Sequence, residues 1–477
     1  MKGMIVAYSA WALLVDIGLI SALLLLGALL RASLRPLQNL LIPASIIGGL
    51  LGFLVSPQVL GSLDWRLGSF EIGGLPFSSQ LSTYTSILIA VVFACMAIAD
   101  DFKISGMGRS LTAFSAYGVM MSAGQVLVGV TLVLCLLRPL LDTPIEMGLV
   151  LFASWSGGFG TSAALGDVFA ANGHPEITSI AFTSATVGMF VGVVGGIILA
   201  RIGAARGHAK AFNAKSSGSS DGTFQGVASL PEHVRTGVLP DSERTEIGRN
   251  TFSGGSLESL SFHVGLVALL CLLGYWLKTW LDAAISAVSF PLFTITFLLG
   301  LLVRAIFSKL GWAKQIDKAT INTINGSAAD VLIVCGIVSI QPSFVADQLG
   351  SLLALFVAGL IFCLFLGLVL APRLLGEDWF ARQLFTWGWA TGSVPTGIAL
   401  LRIIDPDHES TTIEDFGYAY LPLIPVETAA VAVAPFMVLG GLSWAVAGIW
   451  GLIAIAGGAI AWWASRAEPT ADASDAK

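Results

Sequence analysis

Two short stretches of the chain set glycine beside hydroxyl side chains in otherwise apolar surroundings. SWSGGFGTSAALGD at 154–167 holds four glycines and four hydroxyls, and WGWATGSVPTGIAL at 387–400 repeats the mixture around a proline. Glycine allows tight turns and lets the backbone come close to a ligand. Gly157, Gly158 and Gly160 shape the first turn. Ser156, Thr161 and Ser162, with neighbouring carbonyls, offer oxygen ligands to a small hard cation. A helix starting near Thr161 turns free amide hydrogens toward an anion. In the second stretch Gly388, Gly392, Ser393 and Thr396 supply the same groups beside Thr391 and Gly397, and Pro395 suits the first turn of a new helix. Glycine and serine also serve close helix packing, but two matching stretches favour binding loops.

Ionisable groups within apolar runs are costly unless paired or wet, so each is a candidate functional residue. Glu427 follows two prolines in PLIPVETAA and is the first candidate for a coupling-ion ligand or proton carrier. Asp330 in NGSAADVL, beside Asn325 and Ser327, is the second for ion binding, and Asp16 is a weaker third. Asp100, Asp101 and Asp167 fall near the ends of apolar runs, with Asp100 and Asp101 expected to face the cytoplasm; Arg402 is expected at an inner interface beside Asp405. The five cysteines are scattered singly, and neither they nor His263 make a metal-ligand cluster. The chain carries no phosphate-binding glycine loop, no HExxH, no GxSxG in a span and no basic, aromatic-interleaved stripe. ATP hydrolysis, enzymatic catalysis and nucleic-acid binding are therefore not expected, and no cofactor is implied beyond a coupling ion.

The elements that must position these residues are membrane spans. The 477 residues are 55% hydrophobic and 11% charged, against about 25% charged in a soluble domain. Apolar runs near 9–30, 40–60, 83–99, 112–136, 178–200, 260–282, 289–307, 326–343, 350–371, 417–438 and 442–464 predict an all-α polytopic membrane protein. The first run is read as a span rather than a cleaved signal, since it is long and carries Asp16. Residues 201–258, including NAKSSGSSDGT at 213–223, have the composition of a flexible linker, as does the tail at 467–477.

Two further segments, about 147–172 and 381–404, are long enough to enter a membrane but are broken by the glycine stretches. The order is four plain spans, one broken segment and one plain span, then the linker, then the same order again. With the N-terminus outside and neither broken segment crossing, the inner side receives Arg31, Arg35, Lys103, Arg109, Arg304, Lys309, Lys314, Lys318, Arg373, Arg382, Arg402, Arg466 and the linker's seven positive charges. The outer side keeps Lys2, Arg66, Arg138 and Lys278. That asymmetry matches the enrichment of positive residues on the cytoplasmic side. Both segments are thus read as re-entrant hairpins in two inverted repeats of five spans, 1–200 and 259–440, with an extra span and tail over 441–477. Paired broken segments in inverted repeats point to a transporter's binding site.

The motifs also resemble a family. SGGFGTSAAL at 156–165 is similar to the SGGHGTGAAW hairpin motif of the bacterial sodium/glutamate symporters, and GWATGSVPTG at 388–397 to their GFGLGATPTA. IPASIIGGL at 42–50 resembles their IPEPVAGGL, and ATVGMFVGVVGG at 185–196 their ATFGLVLGGLIGG. Phe159 stands at the motif's histidine, Ser162 and Ala390 at glycines, Leu165 at tryptophan and Val394 at threonine, while Ala44-Ser45 replaces Glu-Pro. The resemblance implies sodium-coupled import of L-glutamate or a related carboxylate across the plasma membrane by elevator-type alternating access. Sodium would lie at hairpin carbonyls, Thr161, Thr396 and either Asp330 or Glu427, in a homodimer formed through the non-hairpin spans. Proton coupling through Glu427 and a channel are the alternatives.

Overall fold

The computed structural model describes residues 9–62, 66–67, 70–71, 74–78, 80–99, 108–209, 227, 230–244, 246–253, 255–284, 290–405 and 410–466. Asp100, Asp101, Lys103, most of the predicted linker up to 226 and the tail from 467 lie outside these. The described residues are helical, apart from one two-residue antiparallel pair, Arg66–Leu67 with Phe70–Glu71. Among the described residues nine helices are long and apolar enough to cross a membrane, making this a multi-pass membrane protein.

The two halves place their helices in a similar order, each with one broken pair, but the first ends on one long helix and the second on two shorter ones. In the first half, α1 (Ala10–Ser33), α2 (Ala44–Leu54) and α3 (Leu81–Ala99) precede α4 (Arg109–Leu141), the broken pair α5 (Ile145–Ser154) and α6 (Gly158–Ala171), and α7 (Glu176–Ala205). In the second, α8 (Ser259–Ala284), α9 (Leu292–Lys309) and α10 (Lys318–Val338) precede α11 (Leu349–Leu374) and the broken pair α12 (Trp379–Thr391) and α13 (Val394–Ile404). They end with α14 (Thr412–Ala419) and α15 (Leu423–Leu439). The final helix is α16 (Ser443–Ser465). A local detail repeats with the order. α4 widens into a π turn at Val133–Leu137 just before Pro139, and α11 does so at Leu366–Leu370 just before Pro372. Proline has no N–H to continue the i→i−4 ladder, and a π turn accommodates the interruption.

Two of the predicted spans take another form. The run at 40–60 gives only the 11-residue α2, about 16 Å long, which begins after Pro43 and ends before Ser56-Pro57. The run at 417–438 is interrupted at Val433, because Pro435 cannot donate to the Val431 carbonyl.

Packing sorts the helices into two bodies. In one, α10 lies against α3 and α2, α9 against α3 and α8, and α1 against α2. In the other, α7 holds α6, α12 and α13, while α4 packs on α5, α11, α14, α15 and α16. The bodies meet where α6 touches α3 and α10, and where α7 touches α10. Part of the predicted linker is folded against the first body. Arg31 Nη2 donates to the Val234 carbonyl at 3.1 Å, and Thr323 Oγ1 to that of Ile247 at 3.0 Å. His263, fully buried, accepts the Asp317 amide on Nε2 at 2.8 Å and meets the Ser259 carbonyl through Nδ1 at 2.6 Å.

Candidate functional site

Both glycine stretches break their helices, at Trp155–Gly157 and at Gly392–Ser393. The first turn passes through Gly158 at φ +68°, a left-handed conformation that glycine adopts without steric cost. The second ends where the Ser393 hydroxyl accepts the Thr396 amide at 3.4 Å, capping α13 with Pro395 in its first turn. The two breaks touch: a Cβ added to Gly158 would stand 3.0 Å from the Gly392 carbonyl oxygen.

Gln125 of α4, fully buried, joins them. Its amide donates to the Ala390 carbonyl at 2.8 Å, and its oxygen accepts the Ser156 amide at 3.2 Å. One turn earlier, Ser122 Oγ donates to Glu427 Oε1 at 2.8 Å and lies 2.8 Å from Ser156 Oγ, itself 3.3 Å from the same carboxylate oxygen. Tyr420 donates to Glu427 Oε2 at 2.8 Å. Glu427 is only 7% exposed, and its partners among the described residues are these neutral hydroxyls, with no ion pair.

A cavity of about 150 Å³ opens beside this network. One water requires roughly 10–15 Å³, so a small organic solute fits. Val92, Phe93 and Met96 of α3 form one wall, Gly157, Gly160 and Thr161 of the first break another, and Tyr420, Ile424, Glu427 and Thr428 the third. The cavity therefore lies on the boundary between the two bodies. Glu427 is the one charged residue among those lining it.

The sequence-predicted residues divide accordingly. Gly157, Gly160, Thr161 and Glu427 line the cavity, and Ser156 stands behind it against Glu427. Gly158 holds the turn. Ser162 is buried, 3.2 Å from Ser154 Oγ. Thr161 Oγ1 donates to the Ala153 carbonyl across the break. Gly388 and Gly392 pack the second break, Ser393 and Thr396 bond each other at 3.0 Å, and Thr396 turns its hydroxyl to Met189 Sδ; none of these, nor Pro395, lines the cavity. Asp330 is exposed on α10, away from that lining. Asp16 is buried and bound by the Ser78 amide at 2.9 Å, the Ser78 hydroxyl and Tyr84 at 2.8 Å, tying α1 to α3. Asp167 accepts from Ser86 of α3 at 2.6 Å, across the boundary between the bodies. Asp405 accepts from the Ser410 amide at 2.9 Å and from the Ser410 hydroxyl at 2.6 Å.

Ser122, Gln125 and Tyr420 were not among the predicted residues. Gln125 is the one amide side chain in its span, a signal of the kind that marks functional positions within a membrane. Phe159, at the position where the similar motif has histidine, is 7% exposed and packs its ring 6.3 Å from that of Phe182, outside the cavity lining.

No curated protein and no solved structure matches the chain. A family model does, that of the sodium/glutamate symporters, over residues 12–408. This run takes in both broken pairs and Gln125 and stops short of Tyr420 and Glu427. On that match, which spans most of the chain, the chain belongs to the sodium/glutamate symporter family.

Proposed function

We propose that this protein is a sodium-coupled symporter that imports glutamate or a similar small organic anion by elevator-type alternating access. The observation that carries the proposal is the cavity itself, in which the first glycine break and a buried carboxylate face a wall contributed by the other body. A substrate bound there is held by one body and screened by the second, so sliding one past the other exposes it on alternate sides. The broken pairs support a re-entrant reading. Their arms of 10, 14, 13 and 11 residues reach about 15–21 Å, short of a hydrocarbon core of about 30 Å. With both pairs re-entrant, and with the interrupted runs around α2 and α15 each taken as one crossing beside the long helices, five crossings separate the halves, which makes them inverted copies with the N-terminus outside and the linker and C-terminus cytoplasmic.

Sodium is assigned to the oxygens of the first break, around Thr161, Ser156 and the Ala153 and Gly158 carbonyls. Thr396 and Ser393 hold the second break in register rather than the cavity wall, and Asp330 stands apart. A homodimer through the first body leaves the second free to move.

Uptake of labelled glutamate into proteoliposomes, with and without an inward sodium gradient, tests this for wild type and for Thr161→Ala with Thr396→Ala. Sodium-driven accumulation that the double variant loses is the expected result. Uptake driven by a pH gradient and indifferent to sodium would move the coupling to Glu427 and discard the sodium reading. Steady sodium currents without accumulation would identify a channel instead.

A further inference from the structure

We propose that Glu427 takes the ammonium group of the substrate while the start of α6 takes its carboxylate, so that the site selects amino acids over amine-free dicarboxylates of the same length. This rests on the transport reading above and adds a specificity to it.

Among the described residues Glu427 is the one charged group lining the cavity, and it is acidic. A buried carboxylate with no counter-ion is expensive at membrane depth, and a cationic group brought by the ligand removes that cost. Its hydrogen bonding is incomplete. A carboxylate has about four acceptor sites, and the donors that reach it are the hydroxyls of Ser122, Ser156 and Tyr420. Oε2 receives only Tyr420, leaving a site for a charged donor. An ammonium supplies three N–H groups, so it can bond Oε2 and also reach oxygens of the first break.

The opposite pole lies on the same cavity. α6 is 14 residues long and starts without a side-chain cap, and Gly157 and Gly160 at that start are on the cavity wall. Free amides and the positive end of a helix favour a carboxylate there. The start of α13 differs on both counts, being capped by Ser393 and away from the cavity. A carboxylate-binding pole and an ammonium-binding pole within about 150 Å³ are the two ends of an α-amino acid. A site built around a polar substrate group discriminates strongly against the analogue that lacks it, because its own polar groups are then left unpaired.

Equilibrium binding of L-glutamate and of glutarate to purified protein, in saturating sodium, is the test. Wild type is expected to prefer glutamate by at least about tenfold, and E427Q to bind the two within about threefold of each other. Glutarate bound as tightly as glutamate by wild type would overturn the inference and leave the symporter reading standing. An E427Q protein that melts like wild type and keeps the glutamate preference would do the same. Loss of both ligands in a folded E427Q would assign the carboxylate to the coupling ion and reject the ammonium role. If E427Q does not fold, the wild-type ratio alone decides. Sodium-dependent binding of neither ligand to wild type would refute both proposals.

Discussion

Replacing Gln125 with leucine removes the one side chain that bonds both helix breaks. Two buried backbone groups lose their partners, the Ser156 N–H and the Ala390 carbonyl. An orphaned buried group costs about 1–3 kcal/mol in soluble proteins, which for two gives about 2–6 kcal/mol. Side-chain hydrogen bonds measured inside membrane bundles average nearer 0.6 kcal/mol, which gives about 1.2. With a cavity close enough to admit water, the lower half of that range applies, about 1–3 kcal/mol. At roughly 1 °C per kcal/mol for a chain of this size the melting temperature falls by about 1–3 °C. The larger consequence is positional: Ser156 also lies against Glu427, so releasing its amide loosens the cavity wall. Gln125→Glu keeps an acceptor for Ser156 but loses the donor to Ala390 and sets a carboxylate at a fully buried site against a carbonyl oxygen, so it is expected to melt no higher than the leucine variant. Thermal unfolding in detergent, with and without sodium, read beside sodium-driven uptake, measures both effects. A Gln125→Leu protein that matches wild type in melting temperature and uptake would refute the claim that this amide holds the two breaks together.

Two further outcomes follow from packing and from charge. A Cβ on Gly457 of α16 would stand 2.8 Å from the Ala116 carbonyl oxygen of α4, so Gly457→Leu should push the helices apart; overpacking of this kind costs about 1–3 kcal/mol, and an unchanged melting temperature would mean that α16 is not integral to its body. At the start of α10, partial burial opposes ionisation of Asp317, but the Arg249 amide, the Thr320 hydroxyl and amide and nearby His263 outweigh it and hold the carboxyl below its usual range. A depressed folded-state pKa contributes stability that is complete above the unfolded value of about 3.9 and is lost as pH falls through it toward the folded value. Hydrogen exchange at the Arg249 amide should therefore gain protection, relative to intrinsic rates, as pH rises from 3 to 5, and Asp317→Ala should abolish that gain.

Long apolar runs were legible because nothing but a spanning or buried helix satisfies twenty consecutive apolar residues, and nine of the predicted runs are long helices. The two that differ carry prolines at their limits or near their C-terminal ends, so mean hydropathy overstated the continuity of α2 and α15. Both breaks fell where glycine and proline placed them. Proximity between distant residues was not legible. Glu427 and Ser156 are 271 positions apart, and no local pattern announces that Ser122, four residues after Gly118 in an apolar span, lies between them. Asp330 stands out by two polar neighbours in sequence, Asn325 and Ser327; Ser327 bonds the backbone of its own helix and Asp330 is exposed, an arrangement that sequence proximity does not reveal. The folded part of the linker was hidden for another reason: its hold on α1 and α10 runs through backbone carbonyls at Val234 and Ile247, which any sequence supplies.

The close seating of α16 on α4 makes the C-terminal helix a passive pointer attached to the body that carries the glycine breaks. Arg109 of α4 stacks over Trp463 near its far end, with the guanidinium 5.9 Å from the ring centroid, so the two ends are registered as well as the middle. Under the elevator motion proposed above, a spectroscopic label at the level of Ser465 would keep a constant distance to α4 while its depth in the bilayer changed. The same label paired with one near Arg31 would test that proposal by its change in separation, and an unchanged distance under sodium and substrate would count against it.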